Sequence, residues 1–295
     1  MVENKTFLSR LFDIINVLIL VLLAVSCLYP LWYTFCVSVS DKVAVSSGQV
    51  TMFPIGFNVN SYKLVMGDGK FWNSFWISVQ RVLYGTVFTM VVIIMMAYPL
   101  SKNKREYKPR NAMMWILIFC MLFNGGTIPW FITVKTYDLL DTMAALVLAG
   151  SVPVFNVILL MNFFRNLPSD LEEAAAIDGA GPWRILWQIV VPCSVPVIAT
   201  VVLFTSVGFW NEFFQGLVLM SSDDMYPLQT YIKQIVVQIP VGVTLTAEQY
   251  QQLNQNSNKA LEAAKVFIAM IPMLIVYPFL QKYFVNGITL GAVKE

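Results

Sequence analysis

The stretch EEAAAIDGAGPWRILWQIVVP, from Glu172 to Pro192, is polar at its start, in a chain that is apolar over most of its length. Three alanines follow the two carboxylates, and alanine favours helix strongly. Gly179 comes next, and glycine commonly occupies the position just after a helix C-terminus. Pro182 stands where the first turn of a helix tolerates proline. The stretch therefore predicts a short polar helix, a sharp turn and a second helix that runs on to Pro192.

The residues just before this stretch predict how the polar helix begins. Ser169 and, three residues later, Glu172 fit a capping box, in which each side chain accepts a free backbone N–H of the first turn. Asp170, Glu172 and Glu173 also place negative charge near the helix N-terminus, where the helix dipole favours it. The small residues that follow would let another surface approach the backbone closely.

The composition of the whole chain indicates a membrane protein. Of its 295 residues, 58% are hydrophobic and 12% are charged, whereas a soluble domain carries about 25% charged residues. The basic residues are scattered and form no patch for nucleic acid. The absence of histidine excludes the HExxH zinc motif and the Ser-His-Asp triad. The four cysteines have no CxxC spacing and fit inert buried thiols. The sequence therefore predicts neither a metal site nor an enzyme.

Apolar segments of about 20 residues are long enough to cross a bilayer as helices. The sequence contains six of them, and the first lacks a small-residue cleavage site and is interpreted as a retained span. The six predicted spans are Ile14–Val37, Ser74–Leu100, Ala112–Val134, Met143–Phe163, Ser194–Met220 and Glu262–Tyr283. The predicted fold class is an all-α membrane protein with six transmembrane helices.

The basic residues of the loops predict the orientation of these spans. Five lysines and arginines crowd the ten positions from Ser101 to Arg110, and cytoplasmic loops carry such excesses. Both termini are then cytoplasmic, and so is the loop 164–192 between helices four and five. The loop 221–261 is then extracytoplasmic. The tract rich in glutamine and asparagine at 246–259 fits either a flexible loop or a ligand-facing segment.

Residues of the opening stretch match, at fixed spacing, the EAA-x3-G-x9-I-x-LP signature of ATP-binding-cassette (ABC) import permeases. The matching residues are Glu173, Ala174, Ala175, Gly179, Ile189 and Pro192. The one departure is Val191, where leucine is usual. Asp178 before Gly179 resembles the carbohydrate-uptake branch of that family, and so does the run from Trp210 to Phe213. The run from Phe123 to Pro129 resembles the MalG-type, LplC/YtcP-like subgroup, associated with complex or acidic oligosaccharides.

This resemblance extends over nearly the whole chain and implies a single permease domain, residues 1–295, of type I importer fold. It implies that the polar helix is a coupling helix, which docks in a cleft of an ATP-hydrolysing subunit. The implied partners are a homologous second permease, two ATP-binding cassette subunits, an extracytoplasmic solute-binding protein and the lipid bilayer, with no nucleic acid. ATP and Mg would be bound by the ATPase subunits, because this chain has no GxxxxGK[ST] phosphate loop. The implied location is the bacterial plasma membrane.

Two sets of site residues follow. The resemblance assigns ATPase coupling to Glu172, Glu173, Ala174, Ala175, Asp178, Gly179, Ile189 and Pro192. A sugar path needs aromatic faces and polar groups for hydroxyls, and ionisable residues inside a span indicate function. The candidates for that path are Trp210, Asn211, Glu212, Phe213 and Asn156, with Asn162 and Asn124 as weaker ones. Alternatively, Asn211 and Glu212 join helices or face the outer interface, and Trp210 belongs to an aromatic belt.

Other functions remain open at this point. The transported solute is predicted to be an oligosaccharide, and a peptide or a polyol is the alternative within the class. A non-transporting membrane scaffold is the alternative from another class, and the coupling signature argues against it. An ion-coupled secondary transporter would need several charges at the midplane, which the spans lack.

Overall fold

The structure is a computed structural model, and it describes residues 7–150, 152–236 and 258–292. These residues form helices and no strands, so the predicted all-α class is confirmed. In chain order the helices are α1 (Phe7–Ser38), α2 (Lys42–Ser46), α3 (Asn60–Met66), α4 (Gly69–Ser101), α5 (Arg110–Leu122), α6 (Thr127–Thr136), α7 (Met143–Leu148), α8 (Val154–Arg165), α9 (Ser169–Ile177), α10 (Pro182–Cys193), α11 (Val195–Asn211), α12 (Phe214–Leu219), α13 (Leu228–Val236) and α14 (Lys259–Ala292).

The described residues divide into two compact units, and the first contains residues 7–69, 234–236 and 258–271. Its small core contains Cys36, Val45 and Ala260, and an ion pair joins Lys265 to Asp68 at 2.6 Å. Most of α1 lies outside this core, because its apolar side chains between residues 11 and 28 are exposed. A long helix that is apolar and unburied within its own chain suits contact with lipid.

The second unit contains residues 70–150, 152–233 and 272–292. Its main core is formed where α4, α8, α10 and α11 meet, and the fully buried side chains there include Ile93, Leu160, Val190 and Val201. A second cluster joins α6, α7 and α12 around Leu146 and Leu219. The stretch Glu172–Pro192, called the coupling stretch after the role that the resemblance implies, therefore continues through α10 into the main core of this unit.

Three of the six predicted spans are not single straight helices. By length and composition, α1 and α4 can each cross a membrane, and up to four spans result if two bent helix pairs each count as one. The span predicted at Ala112–Val134 is the pair α5 and α6, which meet at 115°. Gly126 allows this bend with a φ of 89°, and its N–H donates to Asn124 Oδ1 at 2.9 Å. The count of six spans therefore stays a prediction.

The fourth and fifth predicted spans break as well. Met143–Phe163 consists of α7 and α8, and Pro153, which has no N–H to continue a helix, stands just before α8. Ser194–Met220 consists of α11 and α12, because Glu212 is extended, with φ −75° and ψ 120°. The sixth predicted span lies within the continuous helix α14. Of the loop 221–261, residues 221–236 with α13 and residues 258–261 are described, and residues 246–257 of the tract rich in glutamine and asparagine lie outside the described residues.

Candidate functional site

The coupling stretch forms the predicted helix, turn and second helix. The helix α9 has no buried residue, and its last apolar side chain, Ile177, is 87% exposed. After α9 the N–H groups of Gly179 and Ala180 donate to the carbonyls of Ala176 and Ala175, at 3.0 Å and 2.9 Å. The chain then enters α10 at Pro182. The helix α9, which has no fully buried residue, is therefore attached to α10, which contributes buried residues to the main core.

Glycine is required at position 179 by backbone conformation and not by space. The φ of Gly179 is 79°, a value that residues with a Cβ adopt at a cost of about 1–3 kcal/mol. A Cβ at Gly179 or at Gly181 would meet no other atom within 4 Å. The surface around the turn is therefore open, as the prediction of close approach by another surface requires.

The two adjacent carboxylates of α9 lie in different surroundings. Glu172 is partly buried and pairs with Lys102, and it also accepts a hydrogen bond from the Tyr98 hydroxyl at 3.4 Å. The capping box predicted for Glu172 with Ser169 is wrong, because α9 begins at Ser169 itself and no side chain caps it. Glu173 is exposed. Glu173 is therefore the more exposed of the two carboxylates, and it lines a cavity together with Glu172.

The remaining coupling residues follow the same division between an open surface and the core. Ala175 packs against the main core, and Ile189 is partly buried within α10. Ala174, Asp178 and Pro192 are exposed. The signature thus includes residues that hold the stretch in place as well as residues that are free to meet another molecule.

A buried ionic cluster, formed by Arg81, Glu212 and Gln215, lies where α4 passes the break between α11 and α12. The Arg81 side chain is fully buried. Its Nη2 group donates to Glu212 Oε2 at 2.8 Å and also to Gln215 Oε1. Its other nitrogens donate to the Glu212 carbonyl at 3.0 Å and to the Leu146 carbonyl at 3.1 Å. One guanidinium therefore joins α4, α7 and the broken helix.

The cluster explains why helix five breaks at Glu212. The end of a helix leaves backbone groups without partners within that helix. Arg81 takes the Glu212 carbonyl, while Glu212 Oε1 accepts the N–H of Gln215 in the first turn of α12, at 2.9 Å. The break is thus satisfied by polar groups of the chain itself, which the apolar surroundings of a span demand.

A cavity of about 540 Å³ adjoins the cluster. Asn156 Nδ2 donates to Thr205 Oγ1 at 3.2 Å on its wall, and Phe209 supplies an aromatic side chain. The polar or aromatic residues of its lining include Arg81, Asn156, Thr205, Phe209, Glu212 and Gln215. The structure thereby brings together Glu212 and Asn156, two candidates for the sugar path that lie 56 residues apart in sequence.

Other candidates for the path lie elsewhere. Trp210 is 4% exposed and packs edge-on against Phe75, with ring centroids 5.7 Å apart. Asn211 and Phe213 are exposed and do not line the cavity. Of the weaker candidates, Asn162 is exposed, and Asn124 satisfies the bend before α6. Contact of these residues with a solute stays a prediction.

Phe209 and Gln215, which the sequence also places in helix five beside Glu212, line this cavity, and sequence reasoning missed Arg81 as a member of the site. The signal for Arg81 was present, because it is an ionisable residue inside the predicted span Ser74–Leu100, as Glu212 is inside Ser194–Met220. Taken together, the two charges would have suggested a pair. Among the described residues, no group of three or more acidic or cysteine side chains is placed to hold a metal ion.

Comparisons with known proteins extend over nearly all of the chain. Residues 74–290 match the family described as "Binding-protein-dependent transport system inner membrane component". The chain is 37% identical over 291 residues to Protein LplC of Bacillus subtilis (strain 168), with 99% of this chain and 97% of the relative covered. It is 35% identical over 286 residues to the polygalacturonan/rhamnogalacturonan transport system permease protein YtcP of the same organism, covering 97% and 99%.

A solved structure is similar as well. A crystal structure of a bacterial ABC transporter involved in the import of the acidic polysaccharide alginate contains a chain that superposes with a TM-score of 0.83. That chain is 33% identical, and the match covers 95% of this chain and 98% of the other.

Proposed function

This chain belongs to the family of binding-protein-dependent transport system inner membrane components, and we propose on that premise that it is the permease subunit of an ATP-driven oligosaccharide importer. The family is one of transport permeases of the inner membrane. Relatives named for the transport of polygalacturonan, rhamnogalacturonan and diacetylchitobiose support a carbohydrate as the solute. A peptide or a polyol is the alternative.

The proposed role of residues 164–192 is to couple ATP hydrolysis in a partner to movement of this chain. The observation that carries the proposal is the exposure of Glu173 on a helix without a fully buried residue, next to a glycine turn open to its surroundings. Within this chain, the surface formed by Glu173 and the turn is exposed. A partner with a basic residue opposite Glu173 and a cleft for the turn would bury it.

The proposed assembly contains a second, homologous permease, two ATP-binding cassette subunits and an extracytoplasmic solute-binding protein. ATP and Mg bind to the cassette subunits, and this chain itself catalyses nothing. The chain crosses the bacterial plasma membrane several times as one permease domain, residues 1–295, with both termini and the loop 164–192 in the cytoplasm. The loop 221–261 is extracytoplasmic.

The proposed solute path passes the cavity beside the buried ionic cluster. Asn156 and Glu212 offer an amide and a carboxylate to hydroxyl groups, and Phe209 offers an aromatic face. Glu212 is already engaged by Arg81, so a sugar would exchange hydrogen bonds with a network that is satisfied without it. Trp210 would act there by holding Phe75 and α11 in place and not by stacking on a sugar.

Co-purification from native membranes, with mass spectrometry of the associated subunits, tests the proposal. Recovery of a second permease, cassette subunits and a binding protein would support it, and the solute bound by that binding protein would decide between oligosaccharide, peptide and polyol. Recovery of the chain without any cassette subunit would favour the membrane scaffold. The orientation is tested separately, with a single cysteine at Tyr107 or Gln255 in a cysteine-free background. Only the one at Gln255 should react with an impermeant thiol reagent in intact cells.

A further inference from the structure

A polar cluster on the inner face of α9 connects it to the long helix α4. The Lys102 ammonium pairs with Glu172 Oε2, and it also lies 4.4 Å from the centre of the Tyr98 ring. The Tyr98 hydroxyl donates to the same carboxylate oxygen at 3.4 Å. We call this group of Tyr98, Lys102 and Glu172 the α4–α9 clamp.

The clamp is partly shielded from solvent, which strengthens it relative to an ordinary surface ion pair. The side chains of Lys102 and Glu172 are 20% and 23% exposed. An apolar cavity of about 570 Å³ adjoins them, with Met95, Ile185 and Leu186 in its lining. Exposed pairs are weak because water screens them, and that screening is weaker where apolar side chains replace part of the water.

Few other contacts fix α9 to the rest of the unit. It buries no side chain, and Ala175 is its only member that packs against the main core. The attachment of its first turn therefore depends on Glu172 and the residues that hold it. Glu173, the next residue, is exposed, and it lines the same cavity as the clamp without pairing with Lys102 in the described contacts.

The helix to which the clamp is attached reaches the buried ionic cluster. α4 is a continuous helix of 33 residues, and it carries Arg81 as well as Tyr98. At 1.5 Å per residue, Arg81 lies about 25 Å from Tyr98 along the helix axis. A displacement of α9 that the clamp transmits to α4 therefore acts at the break of helix five without passing through α10.

We propose that Lys102 and Tyr98 are positioning residues that hold Glu172, so that movement of α9 is passed to α4 as well as to α10. This inference rests on the proposed coupling function of α9. The two neighbouring carboxylates then have separate tasks: Glu173 meets the partner, and Glu172 fastens the helix to its own chain. Loss of the clamp leaves the partner bound but weakens the link between hydrolysis and uptake.

Charge exchange tests the clamp in the assembled complex. Lys102→Glu and Glu172→Lys are each prepared alone and then together, with the native cassette subunits. Each single variant should retain its cassette subunits but transport about 5- to 10-fold less solute per ATP hydrolysed, the lower part of the range of coupling between sites. The double variant should recover most of that ratio, because the opposite charges face each other again. Lys104→Glu, the same charge change at an exposed neighbour, is the matched control and should leave the ratio unchanged.

Single variants with the native ratio of solute transported to ATP hydrolysed would disprove the proposed role of the clamp. A double variant whose ratio is no higher than that of the worse single variant would disprove it as well. If a charge reversal prevents membrane insertion, Lys102→Gln and Glu172→Gln replace it. Their effects on the ratio should then be non-additive, since each removes the same interaction, and additive effects would overturn the proposal. Recovery of cassette subunits in Glu173→Lys reports on the proposed function itself, so the two hypotheses fail in different measurements.

Discussion

The coupling stretch and the buried ionic cluster both contain charged side chains, yet the chain treats them in opposite ways. At the cluster, Arg81 and Glu212 satisfy each other, with Gln215 and two carbonyls completing the network. At the coupling stretch, Glu173 is left exposed while its neighbour Glu172 is paired. Charges that this chain neutralises itself support its own fold, and a charge that it leaves open is available to a partner. The same type of substitution should therefore damage stability at one place and assembly at the other.

The largest effect is expected from Arg81→Met. This change leaves the Glu212 carboxylate and two carbonyls without their donor in a buried place, and breaking a buried ion pair from one side costs about 3–5 kcal/mol. Thermal unfolding of the purified permease, followed by size-exclusion chromatography, should show a large loss of stability. Arg81→Lys keeps the charge but not the planar array of donors, and it should recover only part of the loss. An Arg81→Met protein as stable as the native one would show that the cluster is dispensable for folding.

Glu173→Lys should come second, and its effect should fall on assembly. Losing an ion pair that becomes buried at an interface costs about 2–5 kcal/mol of association, and the lysine adds repulsion towards a basic partner. Cassette subunit recovery should therefore be lower for Glu173→Lys than for Glu173→Ala. The thermal stability of the isolated permease should be unchanged in both, because Glu173 is exposed. A loss of stability like that of Arg81→Met would erase the contrast between the two regions.

Gly179→Ala should have a smaller effect of conformational origin. Position 179 has a φ of 79°, so alanine is strained there by about 1–3 kcal/mol. Gly181→Ala is the matched control, because Gly181 has a φ of −75° and equal room for a Cβ. Coupled hydrolysis, stimulated by the binding protein, should fall in the first variant only. Equal losses in both variants would indicate that the partner requires free space at both glycines and not the positive φ of residue 179.

The smallest effect concerns a carboxylate outside both regions. Asp141 accepts the N–H groups of Ser221 and Ser222 at 2.5 Å and 3.3 Å, and the bond from Ser221 lowers the pKa of this carboxyl below its ordinary value. The contribution of Asp141 to stability is therefore complete above the ordinary aspartate pKa of about 3.9 and is lost as pH falls through the lowered value. Asp141→Asn keeps an acceptor oxygen but not the charge, so it should abolish this pH dependence and lower stability at pH 7 by the small contribution that the ionised carboxylate made. An unaltered acid profile would assign the dependence to other groups.

Local signals predicted the coupling stretch better than they predicted the spans. Alanines, Gly179 and Pro182 act over a few residues, and the structure has the helix, the turn and the second helix where they indicated. The break at Glu212 depends on Arg81, 131 positions away, and an average of hydropathy over a window cannot register such a partner. The capping box failed because α9 begins at Ser169 itself, and Glu172 pairs instead with Lys102 from 70 positions away. Trp210 shows the limit for site prediction, because an aromatic residue in a span reads the same whether it lines a path or packs inside.

The helix α10 contains a π-helical turn at Leu186–Val190, and this turn affects how many residues are needed between Gly179 and Pro192. In a regular α-helix, residues five apart point about 140° away from each other. Ile185 and Val190 are five apart and both lie in the main core, and the wider π turn is what lets one helix face include them both. The π turn thus places one more residue between Gly179 and Pro192 than a regular α-helix would need. Deleting one residue between Gly179 and Pro192 could keep every residue of the signature. It would still rotate the open turn at Gly179 relative to the main core against which α10 packs.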